Sequence, residues 1–334
     1  MANPKGLNPA AHLSPDVFDL KKLKQVPTRD GYGEGVVAAG EKDPNVIVLC
    51  ADLTESTRSL WFKRKFPERF VQFGVSEQSL AAVGAGLALA GKIPFISSYA
   101  MFCPGRAWEQ VRTNIALNGA NVKIAGAHAG VSVGPDGATH QAIEDIAIMR
   151  CIPGMTVVVP CDSIETKKCT VALAKADGPA YFRFAREKSP VFTTSKTPFA
   201  VGRAVTYRFG KHVAIFGAGP VLHNALLAAH ELSKEGIECL VVNNATVKPM
   251  DARAVAAAAK LCGAVVTVEE HQRQGGMGSR VAEILAGAAP TPIEFVGVDD
   301  RFGETGEPNE LIEKFGMGVK GIKQAVKRVL KRKH

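Results

Sequence analysis

Residues 69–91, RFVQFGVSEQSLAAVGAGLALAG, and residues 93–102, IPFISSYAMF, decide the fold. The first stretch predicts a short strand followed by a helix of small residues, and the second predicts an apolar strand. Apolar strands that alternate with helices are typical of a parallel sheet that is covered on both faces.

The same alternation continues on both sides of this stretch. Apolar strands are predicted at NVIVLCAD (45–52), VKIAGAHAG (122–130), MTVVVPCD (155–162) and PAYFRFAR (179–186). Residues 187–200, EKSPVFTTSKTPFA, interrupt it with Pro, Ser and Thr, and a second, smaller alternating block follows. The predicted fold class is therefore α/β, with two doubly wound domains. The boundaries that we predict are an N-terminal arm at 1–27, a first domain at 28–190, a linker at 191–200 and a second domain at 201–334.

The charge is unevenly distributed along the 334 residues. The formal net charge is +9, but residues 1–29 carry +3 and residues 320–334 carry +7, which leaves 30–319 at −1. A nucleic-acid-binding body should show positive charge along one face of the fold. The near-neutral body therefore argues against a nucleic-acid partner, and the basic C-terminal helix is most simply a solvated face.

The cysteines and the apolar segments indicate a cytoplasmic protein. Seven scattered cysteines without a Cys-x-x-Cys pair predict reduced, mostly buried thiols and neither a disulfide framework nor a zinc site. The first sixteen residues lack the continuous apolar core of a signal peptide. No apolar run reaches the length of a membrane span, so no membrane association is expected.

Glu77 begins a predicted helix that has almost no other charge. A carboxylate at a helix N-terminus commonly interacts favourably with the positive end of the helix dipole. Here the next thirteen residues after Gln78 are small or apolar, which predicts a helix buried all round at an interface. Burial disfavours the charged form of a carboxyl, which suits proton exchange or a hydrogen bond to a bound heterocycle.

A glycine-rich loop carries the second candidate site. The segment AHAGVSVGPDGATHQ (127–141) places Asp136 between His128 and His140 directly after a predicted strand, where open parallel sheets bind ligands. A lone histidine is more often structural, but two with an aspartate favour a polar substrate site. Metal ligation is a weaker interpretation, since no Cys or Glu stands at ligand spacing.

Two arginines and one Gly-x-Gly turn allow more than one interpretation. Arg186 ends a strand and Arg106 begins a helix; each could be a surface charge or could bind phosphate. The GAGP turn at 217–220 resembles the start of a dinucleotide fingerprint, but Leu222 stands where the third glycine belongs. A tight strand-to-helix turn suffices to explain it.

Together these segments resemble the transketolase family of thiamine-diphosphate enzymes. The resemblance rests on ADLTES (51–56), residues 69–91 and 93–102, GVSVGPDGATHQAIEDIAIMR (130–150), FAREKSP (184–190), VEEHQRQGGMGS (268–279) and DDRFGETGEPNEL (299–311). These stand in the family's order and spacing and cover about residues 28–325. The resemblance implies a pyrimidine-binding domain followed by the transketolase C-terminal domain.

The resemblance also implies roles for individual residues. Glu77 matches the catalytic glutamate that hydrogen-bonds the aminopyrimidine ring of thiamine diphosphate, Phe102 the aromatic residue that stacks on it, and Tyr99 a residue lining the same pocket. Further matches are Asp52 and Leu53 near the thiazolium, and His128, Asp136 and His140 at the sugar hydroxyls, where the two histidines would assist proton transfer. Ser56 and Arg186 match positions that contact the sugar phosphate. The spacing around Pro104 and Gly105 differs by one residue from the family's, which puts a role for Arg106 in doubt.

One family signature is missing from the chain. Family members that contain the diphosphate-binding domain carry Gly-Asp-Gly with a later asparagine, which bind the diphosphate and a divalent cation; no Gly-Asp-Gly occurs here. The resemblance therefore implies the C-terminal subunit of a split transketolase, with no metal ligand of its own. A separate N-terminal subunit would supply the site for Mg²⁺ or Ca²⁺, in a heterotetramer with two copies of each chain that acts on sugar phosphates.

Other branches and one non-catalytic role remain open. The β subunit of 2-oxo-acid dehydrogenases shares the two-domain plan but is not expected to have the GPDGATHQ loop or His128. Deoxyxylulose-phosphate synthase shares the loop core, with another residue in place of His128 and a histidine in place of Ser79. His128 favours transketolase. A scaffolding subunit of the same fold is the alternative from another class, against which the intact residue set argues.

Overall fold

The computed structural model describes residues 6–333, which form two α/β units, each with its own sheet. The strands, in chain order, are β1 Gln25–Pro27, β2 Val46–Ala51, β3 Phe70–Phe73, β4 Ile93–Tyr99, β5 Lys123–Ala127, β6 Thr156–Val158, β7 Ala180–Phe184, β8 Lys188–Pro190, β9 Val205–Arg208, β10 Val213–Gly217, β11 Cys239–Asn243, β12 Thr246–Lys248, β13 Val265–Gln272 and β14 Ile293–Val298.

The α-helices alternate with these strands. They are α1 Thr28–Lys42, α2 Ser59–Lys65, α3 Glu77–Leu89, α4 Trp108–Gln110, α5 Asp145–Arg150, α6 Ser163–Lys175, α7 Leu222–Lys234, α8 Ala252–Cys262, α9 Met277–Ala288, α10 Pro308–Lys314 and α11 Val319–Leu330. Short 3-10 turns lie at Pro9–Ala11, Pro67–Arg69 and Val131–Asp136.

The two main sheets confirm the predicted fold class. The first has seven strands in the order β12-β6-β7-β5-β4-β2-β3, all parallel except the edge strand β12. The second has five strands in the order β14-β13-β10-β11-β9, of which only β9 is antiparallel. Apolar runs that alternate with helices produce these parallel sheets because the helices bury both faces of the central strands.

Alternate residues of one strand serve two different cores in the first sheet. Val46 and Val48 of β2 pack with α1 and α6, whereas Ile47 and Leu49 pack on the opposite face with Leu80 of α3. This follows from the twofold side-chain period of a strand. It also fixes the N-terminus of α3 beside the carboxyl ends of β2 and β4.

The edge strand of the first sheet comes from the part of the chain that follows the linker. β12 lies beyond the linker in sequence yet pairs antiparallel with β6, and the amide of Val159 donates to the carbonyl of Ala245 at 2.7 Å. The GAGP turn lies at this junction, where the amide of Gly219 donates to the carbonyl of Val159 at 3.1 Å. Gly219 has a φ of +74°, so the turn needs glycine for its backbone and packs between the two units.

The N-terminal arm lies over the second unit. The side-chain amide of Asn8 donates to Thr206 O at 2.8 Å, and Nε2 of His223 donates to Val17 O at 2.7 Å. Phe18 stacks on His230 with ring centroids 4.2 Å apart. The described part of the arm, from residue 6 onward, is therefore packed against the second unit.

Two predicted helices differ in part from the structure. GRAWEQVRTNIALNG (105–119) predicts one helix, and the structure has a single turn, α4, that continues as a π-helix over Val111–Ala116. The predicted burial of α3 at an interface is met on one face within this chain, while Gln78, Ser79, Val83, Gly86 and Leu89 are exposed. The helix buries one face on the sheet and presents the other, also small and apolar, to its surroundings.

All seven cysteines lie in the described residues as free thiols, six of them buried and Cys151 exposed. Within residues 6–333, every helix is too short or too polar to cross a membrane.

Candidate functional site

The candidate residues meet in one cleft at the carboxyl ends of β2, β4, β5 and β7. Asp52 follows β2, Tyr99 ends β4, His128 follows β5, and Arg186 lies two residues beyond β7. The carboxyl ends of parallel strands in an open sheet are where ligands bind, because the chain leaves the sheet there in loops. The candidate residues, which come from separate segments of the sequence, therefore lie at the same edge of the sheet.

Glu77 is a buried carboxylate with two donors. Its side chain is 1% exposed, Ser98 Oγ donates to Oε1 at 3.1 Å, and Arg106 Nη1 donates to Oε2 at 2.8 Å. The N-terminus of α3 adds its dipole to these contacts. A cation, a hydroxyl and a helix terminus therefore stabilise the negative charge that burial disfavours. Arg106, whose role the sequence left in doubt, is the principal partner of Glu77.

Four rings form a continuous aromatic wall beside Glu77. The ring centroids of Tyr99 and His128 lie 4.1 Å apart in a stacked arrangement, and those of Tyr99 and Phe102 lie 6.0 Å apart. His140 meets Phe102 edge to face at 5.3 Å. The guanidinium carbon of Arg106 lies 4.9 Å from the centre of the Phe102 ring. Arg106 thus ties the wall to the carboxylate.

His128 is held neutral in this cleft. It is 1% exposed, and burial together with the positive charges of Arg29, Arg186 and Arg58 lowers its pKa to about 3. Its φ of +54° turns the side chain sharply away from the end of β5. Its Nε2 lies 3.4 Å from Arg29 Nη1, whereas Nδ1 is buried without a hydrogen-bond partner in the described part of the chain. An unpaired polar atom in such a place favours a ligand as its partner.

Three arginines, Arg29, Arg58 and Arg186, surround His128 in the cleft. Arg29, at the start of α1, donates from Nη1 to Ser56 O at 3.1 Å, and burial and the neighbouring Arg58 lower its pKa. Arg58 pairs with Asp30 at 2.6 Å. Since guanidinium groups bind phosphate in a matched geometry, this cluster is suited to a phosphorylated ligand.

The glycine-rich loop, residues 129–141, closes one side of the cleft. Asp136 accepts a hydrogen bond from Arg186 Nη1 at 3.1 Å, and Arg186 also contacts Glu187 at 3.4 Å. Thr139 Oγ1 lies 2.9 Å from His140 Nδ1, which leaves Nε2 of that ring for other partners. Arg186 and Asp136, nominated for a phosphate and a hydroxyl, are partners of each other in this structure.

The ADLTES segment lies at the exposed rim. Asp52 has a φ of +56° and accepts a hydrogen bond from Gln72 Nε2 at 3.3 Å. Leu53 and Ser56 are half-buried, and Ser56 contributes its backbone carbonyl to Arg29. These three residues are therefore near the cleft, at a greater distance from Glu77 along the sheet.

Three residues of the site were missed by sequence reasoning. Arg29, Arg58 and Ser98 stand in segments far apart in sequence, and only the sheet order brings their side chains to the cleft. Arg29 follows Pro27 and Thr28 at a helix start, a pattern that helices use without any ligand. Ser98 is the last of five consecutive buried residues of β4, and its sequence neighbours do not distinguish it from any strand serine.

The charged groups of the cleft do not form a metal site. Within residues 6–333, no group of three or more His, Cys, Asp and Glu side chains is arranged to hold a metal ion. The polar groups beside the aromatic wall are instead one carboxylate, two imidazoles and a set of guanidinium groups. This set fits a heterocycle and an anion.

Comparison with known families identifies the chain. The model of "Transketolase, pyrimidine binding domain" matches residues 24–191, and that of "Transketolase, C-terminal domain" matches residues 202–322. The chain belongs to the transketolase family. Its two α/β units are the family's pyrimidine-binding and C-terminal domains.

Relatives within the transketolase family include separate subunits. The chain is 39% identical over 313 residues to the 6-deoxy-6-sulfo-D-fructose transketolase subunit of a Clostridium species, covering 94% of this chain and 97% of that one. Human transketolase is 33% identical over 317 residues, which are 94% of this chain and 50% of the human protein. A solved structure described as a split gene transketolase, an inactive beta4 tetramer, superposes with a TM-score of 0.87 at 43% identity, covering 92% of this chain and all of that one.

Proposed function

We propose that this chain is the C-terminal subunit of a split, thiamine-diphosphate-dependent transketolase. With a separate N-terminal subunit it would transfer a two-carbon ketol unit from a ketose phosphate to an aldose phosphate. The observation that carries the proposal is the buried Glu77 carboxylate, paired with Arg106, beside the Phe102 ring and in the same cleft as the arginine cluster.

The residues present fit the pyrimidine end of the cofactor. Glu77 offers a carboxylate that can accept a hydrogen bond from a ring nitrogen, and Phe102, which is half-buried, offers a face for a planar heterocycle. Tyr99 supports both Phe102 and His128 from the side. When bound, thiamine diphosphate supplies the carbon nucleophile and the electron sink for carbon–carbon bond cleavage. The chain's own task is to orient it and to accept its ring hydrogen bond at the Glu77 carboxylate.

The sugar phosphate would bind against the arginines and the glycine-rich loop. Arg29 and Arg186 present guanidinium groups to an anion, and Asp136 would exchange its contact with Arg186 for a sugar hydroxyl. Because Nε2 of neutral His128 accepts from Arg29, its ring proton lies on Nδ1, which can donate one hydrogen bond to a sugar hydroxyl. His140 would make a further hydrogen bond to the sugar at Nε2.

The diphosphate and its cation would be bound by the partner subunit. The described residues contain no metal-ligand cluster, and the chain has no Gly-Asp-Gly. The named relatives support this division of labour, because one is called a subunit and human transketolase is about twice as long as the matched region. The metal would be Mg²⁺ or Ca²⁺, as in the family resemblance described above.

Reconstitution tests the proposal. This chain would be mixed with a candidate N-terminal subunit, thiamine diphosphate, Mg²⁺ and a ketose phosphate and aldose phosphate pair, and sugar exchange would be followed by chromatography. We expect exchange only with both subunits present. If the two chains form a complex that converts neither a pentose phosphate pair nor any other sugar phosphate pair, a scaffolding role would be favoured.

A further inference from the structure

The C-terminal domain reaches into the first domain and contacts the glycine-rich loop through Glu270. This residue lies on β13, and its Oε1 accepts the backbone amide of Ser132 at 2.6 Å. Gly130, with a φ of +87°, has no side chain at the point of contact; a Cβ there would lie 2.3 Å from Glu270 Oε1. The loop backbone is therefore shaped around the carboxylate.

The Glu270 carboxyl is buried at a domain junction. It lies next to Arg183, which donates from Nη2 to the carbonyl of Glu270 at 3.0 Å and pairs through Nη1 with Asp145 at 2.8 Å. Burial raises the pKa of the Glu270 carboxyl, and Arg183 opposes that shift. A buried ionisable group contributes little to stability by itself, since apolar residues of similar volume stabilise as well or better.

A second contact fixes the other end of the same loop. Gln141 Nε2 donates to the carbonyls of Val131 and Glu304, at 3.0 and 2.9 Å, and so bridges the loop to the 299–311 segment of the C-terminal domain. Gly137 faces Thr305 so closely that a Cβ would lie 2.7 Å from its hydroxyl. Both ends of the loop that carries Asp136 and His140 are thus anchored on the second domain.

We infer that Glu270 is a positioning residue for the substrate: through the amide of Ser132, it holds the glycine-rich loop where Asp136 and His140 face the cleft. The effect on sugar binding rests on the proposed function, whereas the anchoring of the loop by Glu270 does not. It gives the C-terminal domain a specific part in sugar binding.

The neighbouring residue provides a matched control. Glu269 stands on the same strand, is equally buried, and accepts the amides of Met277 and Gly278 at 2.6 and 2.7 Å. It therefore anchors the start of α9 and does not contact the loop. Glu269→Ala and Glu270→Ala remove the same group from adjacent positions, but only the second frees the amide of Ser132.

Hydrogen exchange of the purified chain decides the anchoring. We expect amides of residues 130–141 to exchange about tenfold faster in Glu270→Ala than in the wild type or in Glu269→Ala, because the hydrogen bond from Ser132 to a buried acceptor is lost. Glu270→Gln keeps an acceptor oxygen and should restore most of the protection. Equal exchange of this peptide in the two alanine variants would overturn the inference. If Glu270→Ala fails to fold, Glu270→Asp takes its place, since the shorter side chain withdraws the acceptor from Ser132, and exchange as slow as in the wild type would then overturn it.

Kinetics of the reconstituted two-subunit enzyme test whether the loop contact of Glu270 affects sugar binding. We expect Glu270→Ala to raise KM for the sugar phosphate about tenfold with a smaller change in kcat, and Glu269→Ala to change neither by more than about twofold. A loss in kcat alone would contradict a role in positioning the sugar. Absence of ketol transfer by the wild-type pair would contradict the proposed function and leave the exchange result standing, so the two failures are distinguishable.

Discussion

Arg106 Nη1 lies 2.8 Å from Oε2 of Glu77, so the carboxylate at the start of α3 is one half of an ion pair. The pair is asymmetric, since the Glu77 side chain is buried and that of Arg106 is about half exposed. Loss of the ion pair would therefore destabilise the charge of Glu77 more than that of Arg106. Water can solvate the half-exposed guanidinium, but it cannot reach the buried carboxylate.

Replacing Arg106 by alanine should weaken both folding and turnover. The buried carboxylate would keep only Ser98 as a side-chain donor, which we expect to lower the free energy of unfolding by about 2 kcal/mol and kcat by about tenfold or more. Urea unfolding and turnover with the partner subunit measure the two effects. Arg112→Ala is the control, because the exposed Arg112 side chain makes no ion pair within residues 6–333. Equal behaviour of the two variants would contradict the assigned role.

The pH dependence of stability should report the neutral state of His128. Its folded pKa of about 3 lies below the ordinary 6.5, so as pH falls below 6.5 the unfolded chain takes up a proton that the folded chain refuses. Stability is therefore lost in that direction. Between pH 8 and pH 5, the wild type should lose about 2 kcal/mol relative to His128→Asn.

Chemical denaturation at the two pH values checks this, with His12→Asn at an exposed position as the control. If the wild type and His128→Asn lose stability in parallel, His128 is not held neutral by its surroundings.

Glu165 should make the pH dependence of stability change in the direction opposite to that of His128. It is buried between the domains, where Asn243 donates to Oε1 at 2.6 Å and the amide of Cys161 donates to Oε2 at 2.7 Å. Burial raises its pKa to about 7, so between pH 4.5 and 7 the folded chain keeps a proton that the unfolded chain releases. Stability conferred by this group is lost as pH rises through that window.

Relative to Glu165→Gln, the wild type should lose about 3 kcal/mol of unfolding free energy between pH 4.5 and pH 8. Denaturation curves at both ends of the range measure the difference. A pH-independent difference between the two proteins would show that Glu165 stays ionised throughout.

The exposed face of α3 should be a protein contact. Val83 and Leu89 are exposed on this helix beside the small residues Ala82 and Gly86, and Val75 is exposed just before it. We expect Val83→Glu with Leu89→Glu to weaken association with the N-terminal subunit at least tenfold without lowering the Tm of the isolated chain by more than a few degrees. Analytical ultracentrifugation measures the association. Leu261→Glu, at an exposed leucine of α8, should leave it unchanged, and wild-type affinity in the double variant would place the interface elsewhere.

The alternating apolar segments were sufficient to predict both sheets and the end of the sheet at which the site lies. The central strands, such as β2, β5, β7, β10 and β11, are buried on both faces, so their sequences are continuous apolar runs that are easily recognised. The positions of Glu77, His128 and Arg186 at strand or helix ends followed from the same pattern. These predictions depend on local sequence alone.

The partners of those residues could not be predicted in the same way. Arg106 meets Glu77 only because the segment after β4 folds back over α3, and Arg29 meets His128 across 99 positions of sequence. Glu270 reaches Ser132 from another domain. Such contacts depend on sheet order and loop path, which leave no periodic signal. The sequence predicted α3 to lie at an interface but not which of its faces this chain leaves exposed, because small apolar residues look the same whether this chain or another covers them.

Glu77→Gln tests the central claim most directly. The amide keeps the size of the side chain and can still accept from Ser98, but it cannot carry the charge that Arg106 stabilises. With the N-terminal subunit, thiamine diphosphate, Mg²⁺ and a sugar phosphate pair, we expect kcat to fall at least 100-fold while circular dichroism and complex formation stay as in the wild type. The exposed Glu109→Gln should turn over normally. A Glu77→Gln enzyme with wild-type kcat in this reconstituted assay would contradict the account.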